Sequence, residues 1–166
     1  MVTRSNRRAI QYNQGIRGRI LGHEEELSGG DLLMVAKNNY FWCKDNTELP
    51  FIANGDVAVV RRFRNERSLY GFRFADVTLQ LPDYDDMELD AVVLLDTLRS
   101  EASALTRQEQ EQLFHNVWED YPEITNKQAR AKKIKEDTYY NALQVKYAYA
   151  VTCHKAQGGE WKRVFI

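Results

Sequence analysis

LQVKYAYAVTCHKAQGGEW, from Leu143 to Trp161, joins an apolar stretch to a cluster of polar and cationic residues and then to a Gly-Gly-Glu turn. Leu143, Val145, Tyr147, Tyr149 and Val151 recur at period 2 with small Ala148 and Ala150 between them, which predicts a strand packed on both faces and belonging to an α/β sheet. The pattern then stops. Thr152 offers a hydroxyl, His154 a ring nitrogen and Lys155 a cation, all suited to anionic oxygens. Gly158 and Gly159 let backbone approach a ligand with no Cβ in the way, and Glu160 follows as an acceptor for a sugar hydroxyl or an arginine. Taken singly, a core histidine, a solvated lysine and an ordinary turn account for these residues. Their succession in register after an apolar strand suits a site that touches both a nucleotide and a phosphate backbone.

This segment resembles motif V of superfamily 1 helicases, Thr-x-His-x-x-x-Gly-x-Glu followed by an aromatic residue, with Thr152, His154, Gly158, Glu160 and Trp161 in the required places. Its His-Lys-x-Gln-Gly form resembles the RecD-like and Dda-like branch. Three further stretches are similar to the same helicases: TRSNRRAIQYN from Thr3, GDLLMVAKNNY from Gly30 and FIANGDVAVV from Phe51. The resemblance implies a fold of class α/β plus β, in which a partial RecA-like α/β domain is interrupted by a small SH3-like β-barrel insertion with accessory helices. On this reading residues 1–28 and 141–166 form the partial second RecA-like domain and 29–140 the insertion, with the barrel at about 29–81 and a strand and helical region at about 82–140.

The same resemblance implies roles. Gly158, Gly159 and Glu160 are expected at the nucleotide, and Arg4, Asn6, Thr152, His154 and Lys155 at single-stranded DNA. ATP and Mg²⁺ are the cofactors expected of the parent enzyme, the partners being single-stranded DNA, the first RecA-like domain of the same parent chain, and repair or recombination proteins. No GxxxxGK[ST] phosphate loop occurs, nor an apolar strand ending in paired carboxylates, so no catalytic or metal-ligating residue is expected in this chain and it should not hydrolyse ATP alone. The arginine-bearing motif that follows motif V is missing, and Val164, Phe165 and Ile166 read as the opening of a strand. The expectation is a C-terminal fragment of a larger helicase, 5′ to 3′ in polarity.

Bulk properties constrain less. The 166 residues carry 23 Lys plus Arg against 24 Asp plus Glu, so net charge gives no sign of a nucleic-acid partner. Distribution is more informative. Arg4, Arg7, Arg8, Arg17 and Arg19 form one basic cluster, Arg61, Arg62, Arg64 and Arg67 a second, and Lys127, Arg130, Lys132, Lys133 and Lys135 a third, whereas Asp83, Asp85, Asp86, Glu88 and Asp90 gather the acid. Cys43 and Cys153 form no CxxC pair, and neither an export signal nor an apolar run of membrane-spanning length occurs, so a reduced, cytoplasmic protein is expected.

Local signals complete the reading. Ser5 predicts an N-cap for a helix from about Asn6 to Arg17. Arg4 and Asn6 then stand at a strand-to-helix step, either as parts of a capped helix or as DNA contacts. Asn54-Gly55 predicts a hairpin between short strands. Asn38, Asn39 and Tyr40 suit either Asx bonds closing a turn or contact with bases. The run Ala91–Leu95 predicts a strand, Thr106 with Glu109 a capping box, and Thr125 with Gln128 a second box opening a basic helix. Two other classes stay open beside the helicase fragment: a non-catalytic single-stranded nucleic-acid-binding module and a protein-docking domain of a recombination complex.

Overall fold

A computed structural model describes residues 1–166. Five strands close a barrel in the order β2-β3-β4-β5-β6: Leu32–Val35, Val57–Leu69, Phe72–Leu81, Met87–Leu94 and Leu143–Tyr147. A separate two-stranded parallel sheet pairs β1 (Val2–Thr3) with β7 (Val151–Thr152). The architecture is thus mixed α/β plus β, as expected. No helix is long and apolar enough to cross a membrane.

The barrel's extent corrects the expectation of 29–81. Antiparallel pairing runs from β2 through β5, but the barrel closes only when β6 enters between β5 and β2, parallel to β5 with Val93 opposite Leu143 and antiparallel to β2 with Leu33 opposite Tyr147. Parallel neighbours need a long crossover, which residues 95–142 provide. The predicted continuous strand from Leu143 to Val151 is accordingly two strands in two sheets, separated by a bend at Ala148–Ala150. Period-2 apolarity cannot register that break, because the residues on both sides of it are buried or half-buried.

Two apolar clusters hold the molecule together. Leu33, Val35, Val60, Val77, Leu79, Val93, Leu143 and Val145 fill the barrel. On its outer face, Phe72, Phe74, Val92 and Leu94 pack against Leu113 and Val117 of α2 (Arg107–Glu119) and Ile134 of α3 (Lys127–Lys135). With the barrel interior on one face, taking Ala91, Val93 and Leu95, and the helices on the other, taking Val92 and Leu94, β5 is buried on both sides, which explains the unbroken run Ala91–Leu95.

Caps behave as the residue chemistry requires, with one displacement. Ser5 accepts from the Arg8 amide at the start of α1 (Asn6–Gly15), and the Thr106/Glu109 box is complete. For α3 the cap is Asn126, not Thr125; its side chain accepts from the Gln128 and Ala129 amides. Asn54-Gly55 joins no hairpin either: the turn folds back on the end of β2, with the Gly55 amide donating to Val35 and the Val35 amide to Asp56. The tight hairpin lies instead at Tyr70-Gly71, where φ values of +56° and +77° link β3 to β4. Tyr70 accepts that conformation because its hydroxyl is held by Asp120 and its carbonyl by the Asn116 side chain.

Candidate functional site

Parallel pairing of β1 with β7, Val2 opposite Val151 and Thr3 opposite Thr152, brings the two ends of the chain together. Each strand is followed at once by a helix: α1 after Arg4-Ser5, and the short α4 (Cys153–Ala156) after Thr152. Two strand-to-helix turns therefore lie side by side at the C-terminal edge of one sheet. The Thr3 hydroxyl donates to the Ser5 carbonyl and lies 3.5 Å from that of Val151, and the Cys153 thiol meets the Thr3 carbonyl at 3.3 Å, so the turns are tied to each other.

Two clefts open from this edge. One lies between α1 and the barrel and is lined by Asn6, Asn13, Lys146, Thr152 and Lys155 together with apolar side chains. The other lies between the motif and the Asn54-Gly55 turn, and gathers His154, Lys155, Gly158, Gly159, Glu160 and Trp161. Lys155 lines both, and its amine is held by the Asn54 side-chain oxygen. Of the residues singled out by sequence, Asn6, Thr152 and Lys155 thus converge in the first cleft, and His154, Lys155, Gly158, Gly159 and Glu160 in the second. Arg4 is exposed and lines neither. Asn6 donates through its side chain to the Glu101 carbonyl at 3.0 Å, which anchors it to the loop after β5.

The glycines differ. Gly158 uses its freedom, with φ at +81°. At Gly159 an added Cβ would run into the Trp161 ring, so the space above that residue is taken by the indole. Glu160 is exposed at the rim of the second cleft.

Three residues that matter to this geometry carried little sequence signal. Asn13, buried in α1, donates to the Tyr147 and Ala150 carbonyls at 3.3 and 2.9 Å and accepts from the Ala150 amide at 2.7 Å. One side chain thereby fixes the bend between barrel strand β6 and motif strand β7. One turn on, α1 widens into a π-helical segment, Ile16–Ile20, which carries Arg17 inward. Arg17 forms a two-pronged pair with Asp31 at 2.9 and 2.7 Å and stacks over the Tyr147 ring at 4.5 Å. Asp31 also accepts from the Ser28 amide and the Tyr149 hydroxyl. Ala9, Asn13 and Arg17 recur at i, i+4 and i+8, and this buried stripe was the one available clue.

The third is Lys146 on β6, whose amine donates to the Thr97 and Ser100 carbonyls at 3.1 and 2.7 Å. It has no carboxylate partner. Burial, with the positive charge of Lys155 adding to it, pushes this amine down to about 8. An unfolded lysine holds its proton up to about 10.5, so between the two values the unfolded chain binds more protons and stability rises with pH. Above about 10 unfolded tyrosines begin to ionise, whereas Tyr149 and Tyr84 are held at about 12, and the trend reverses. Denaturant midpoints should therefore climb from pH 8 towards 10, and Lys146→Met should flatten that climb.

Residues 147–166 match the model of the UvrD-like helicase C-terminal domain. That match covers the bend, β7, α4 and the Gly-Gly-Glu turn, and it supports a superfamily 1 helicase relationship and a helicase-related role. No curated protein matches the chain.

Proposed function

We propose that this chain supplies the second motor half of an ATP-dependent DNA helicase of the RecD-like branch, in which the turn from Thr152 to Glu160 couples the ATP cleft to single-stranded DNA. The observation that carries the reading is the β1–β7 pairing, which puts the Arg4–Asn6 and Thr152–Lys155 turns on one sheet edge. Open α/β sheets bind ligands at that edge. Residues 1–28 and those beyond barrel strand β6, 148–166, are read as part of a RecA-like domain, with the barrel and its helices as the insertion.

The division of labour follows from residue chemistry and not from the cleft boundaries, since His154 and Lys155 share the second cleft with Glu160 and Arg4 lines neither. Thr152, His154, Lys155, Asn6 and Arg4 would hold DNA phosphates through a hydroxyl, an imidazole, a side-chain amide and two cations. Glu160 and the Gly158-Gly159 backbone would meet ATP at the rim, with Glu160 as acceptor for a sugar hydroxyl or an arginine. This donor set suits the sugar and backbone side of a nucleotide; the phosphate loop and the ligands for Mg²⁺ are assigned to a first RecA-like domain elsewhere in the parent protein. When bound, ATP supplies the free energy of phosphoryl transfer. Only a few residues separate Lys155 from Glu160, so both contacts belong to one short turn. The expected direction is 5′ to 3′, the setting cytoplasmic, and the further partners repair or recombination proteins.

Phosphate contacts release counterions, which fixes the test. The affinity of this chain for oligothymidylate should fall as salt rises, with log K losing about 0.7 per phosphate contact per log unit of salt. Lys155→Ala should weaken binding and lower that slope by about 0.7. A slope near zero, or an unchanged slope in Lys155→Ala, would favour a protein-docking role.

A further inference from the structure

A second groove lies beyond the motif cleft, where the chain leaves β2 and passes under the inserted helices. Its lining includes Lys37, Asn38, Tyr40, Gln110, Lys135 and Tyr140, and its volume is about 300 Å³. The wall from Lys37 to Phe41 is held firmly. Asn39 accepts from the Phe41 and Trp42 amides at 3.0 and 3.3 Å, its side-chain amide donates to the Asn141 carbonyl at 2.8 Å, and its backbone bridges to Ile52. Trp42 donates to the same Asn141 carbonyl at 2.9 Å. Asn39 is therefore occupied in closing the turn, which leaves Tyr40 to face outward. Tyr40 is 62% exposed and is backed by Phe51, with ring centroids 5.0 Å apart and nearly parallel. An exposed aromatic ring fixed by a second ring behind it is a stacking platform with little rotamer entropy left to lose.

The opposite wall comes from the helices. Lys135 closes α3, and Tyr140 is braced edge-on by Phe114 at 5.8 Å. Lys37 and Lys135 are exposed, and no lysine in the chain lies within ion-pair distance of a carboxylate; the ion pairs all use arginine or histidine. Glu111, which lines the shallower cleft next to this groove, is neutralised by Arg107 at 2.9 Å. The groove thus presents two free cations and two tyrosines, with amide side chains between them.

This groove also connects with the motif. Asn38 accepts from the Asn54 amide at 2.7 Å, and the Asn54 side chain holds Lys155. The geometry points to a second single-stranded DNA subsite in this groove, continuous with the Thr152–Lys155 contacts, in which Lys37 and Lys135 take phosphates and Tyr40 stacks a base. The inference rests on the reading of the motif turn as a DNA contact and extends the track across the barrel to the inserted helices. It gives that insertion a direct role on the strand.

Oligothymidylates of roughly 6 and 16 nucleotides, spanning the footprints of single-strand binding folds, separate the two sites by fluorescence anisotropy. The long probe should bind more tightly than the short one. Tyr40→Ala should weaken long-probe binding by about five- to a hundred-fold, and Lys37→Ala with Lys135→Ala should lower its salt slope by about 1.4, both leaving the short probe unchanged. These side chains are exposed, and unchanged melting temperatures confirm that the variants fold. Equal affinity for the two lengths overturns the subsite, as does a length advantage that survives all three substitutions; the groove would then be free for a protein ligand. Sensitivity of the short probe to Lys155→Ala reports separately on the motif turn. If neither probe binds, both readings are overturned.

Discussion

Arg17→Met is expected to destabilise the chain by about 3–5 kcal/mol, because it strips a buried carboxylate of its cation. Asp31 is fully buried and Arg17 only 4% exposed. Burial opposes both charges, yet the pair prevails: the hydrogen-bonded contact holds Arg17 above its ordinary value and, with the Ser28 amide and the Tyr149 hydroxyl, holds Asp31 below its own. A carboxyl depressed in the folded state stabilises above its unfolded value and loses that contribution as pH falls through the folded one. Stability should therefore drop below about pH 3.8, with Asp31→Asn less stable at neutral pH and less sensitive to acid. Urea unfolding at pH 7 and pH 3 measures both effects. Replacing the pair together, Arg17→Met with Asp31→Leu, should recover part of the loss, since an apolar pair leaves no charge behind. The consequence is mechanical as well as energetic. Arg17 comes from the π-helical continuation of α1, Asp31 precedes β2, Tyr147 ends β6 and Tyr149 lies in the β6–β7 bend, so this cluster sets the motif sheet against the barrel.

Asn13→Ala should act on the same joint with a different signature. It removes three hydrogen bonds and leaves the buried Ala150 amide unpaired; at about 1 kcal/mol per bond, and about 1–3 for the orphaned group, the expected loss is about 3 kcal/mol or more. It also frees the bend that positions Thr152 and Lys155, so affinity for a short oligothymidylate should fall. Asn13→Asp tests the geometry specifically. Ionised, it can accept from the Ala150 amide but cannot donate to the Tyr147 and Ala150 carbonyls and buries an unpaired charge against them, so at neutral pH it should be at least as destabilising as Asn13→Ala. Full DNA affinity in Asn13→Ala at a temperature where the variant is folded would show that the bend does not position the turn.

Local chemistry was legible in the sequence, and long-range pairing was not. Ser5, Thr106 and Glu109 cap as their residue types require, because a cap is settled within four residues. The polar cluster after Val151 stood out for the same reason. Barrel closure depends on Val93 meeting Leu143 across the whole helical insertion, and nothing in either strand's pattern marks its partner. The apolar residues from Leu143 to Val151 looked continuous because side-chain burial alternates in the same way in both sheets, while the break between them is made by a helix residue far away, Asn13. Thr125 and Asn126 are both competent caps, and only the path of the chain out of α2 chooses Asn126. Lys146 and Arg17 escaped notice because a charged residue among apolar ones reads as surface until its burial is known.

On the proposed function, one short turn joins nucleotide to DNA. ATP hydrolysis should therefore be measured, with and without single-stranded DNA, in the parent protein that carries this chain together with a phosphate-loop domain, comparing wild type with His154→Ala and Glu160→Ala. The expected result is hydrolysis stimulated by DNA in the wild type, with stimulation lost in His154→Ala while basal turnover persists, and both diminished in Glu160→Ala. Hydrolysis indifferent to DNA, or two variants that respond to it as the wild type does, would contradict the claim.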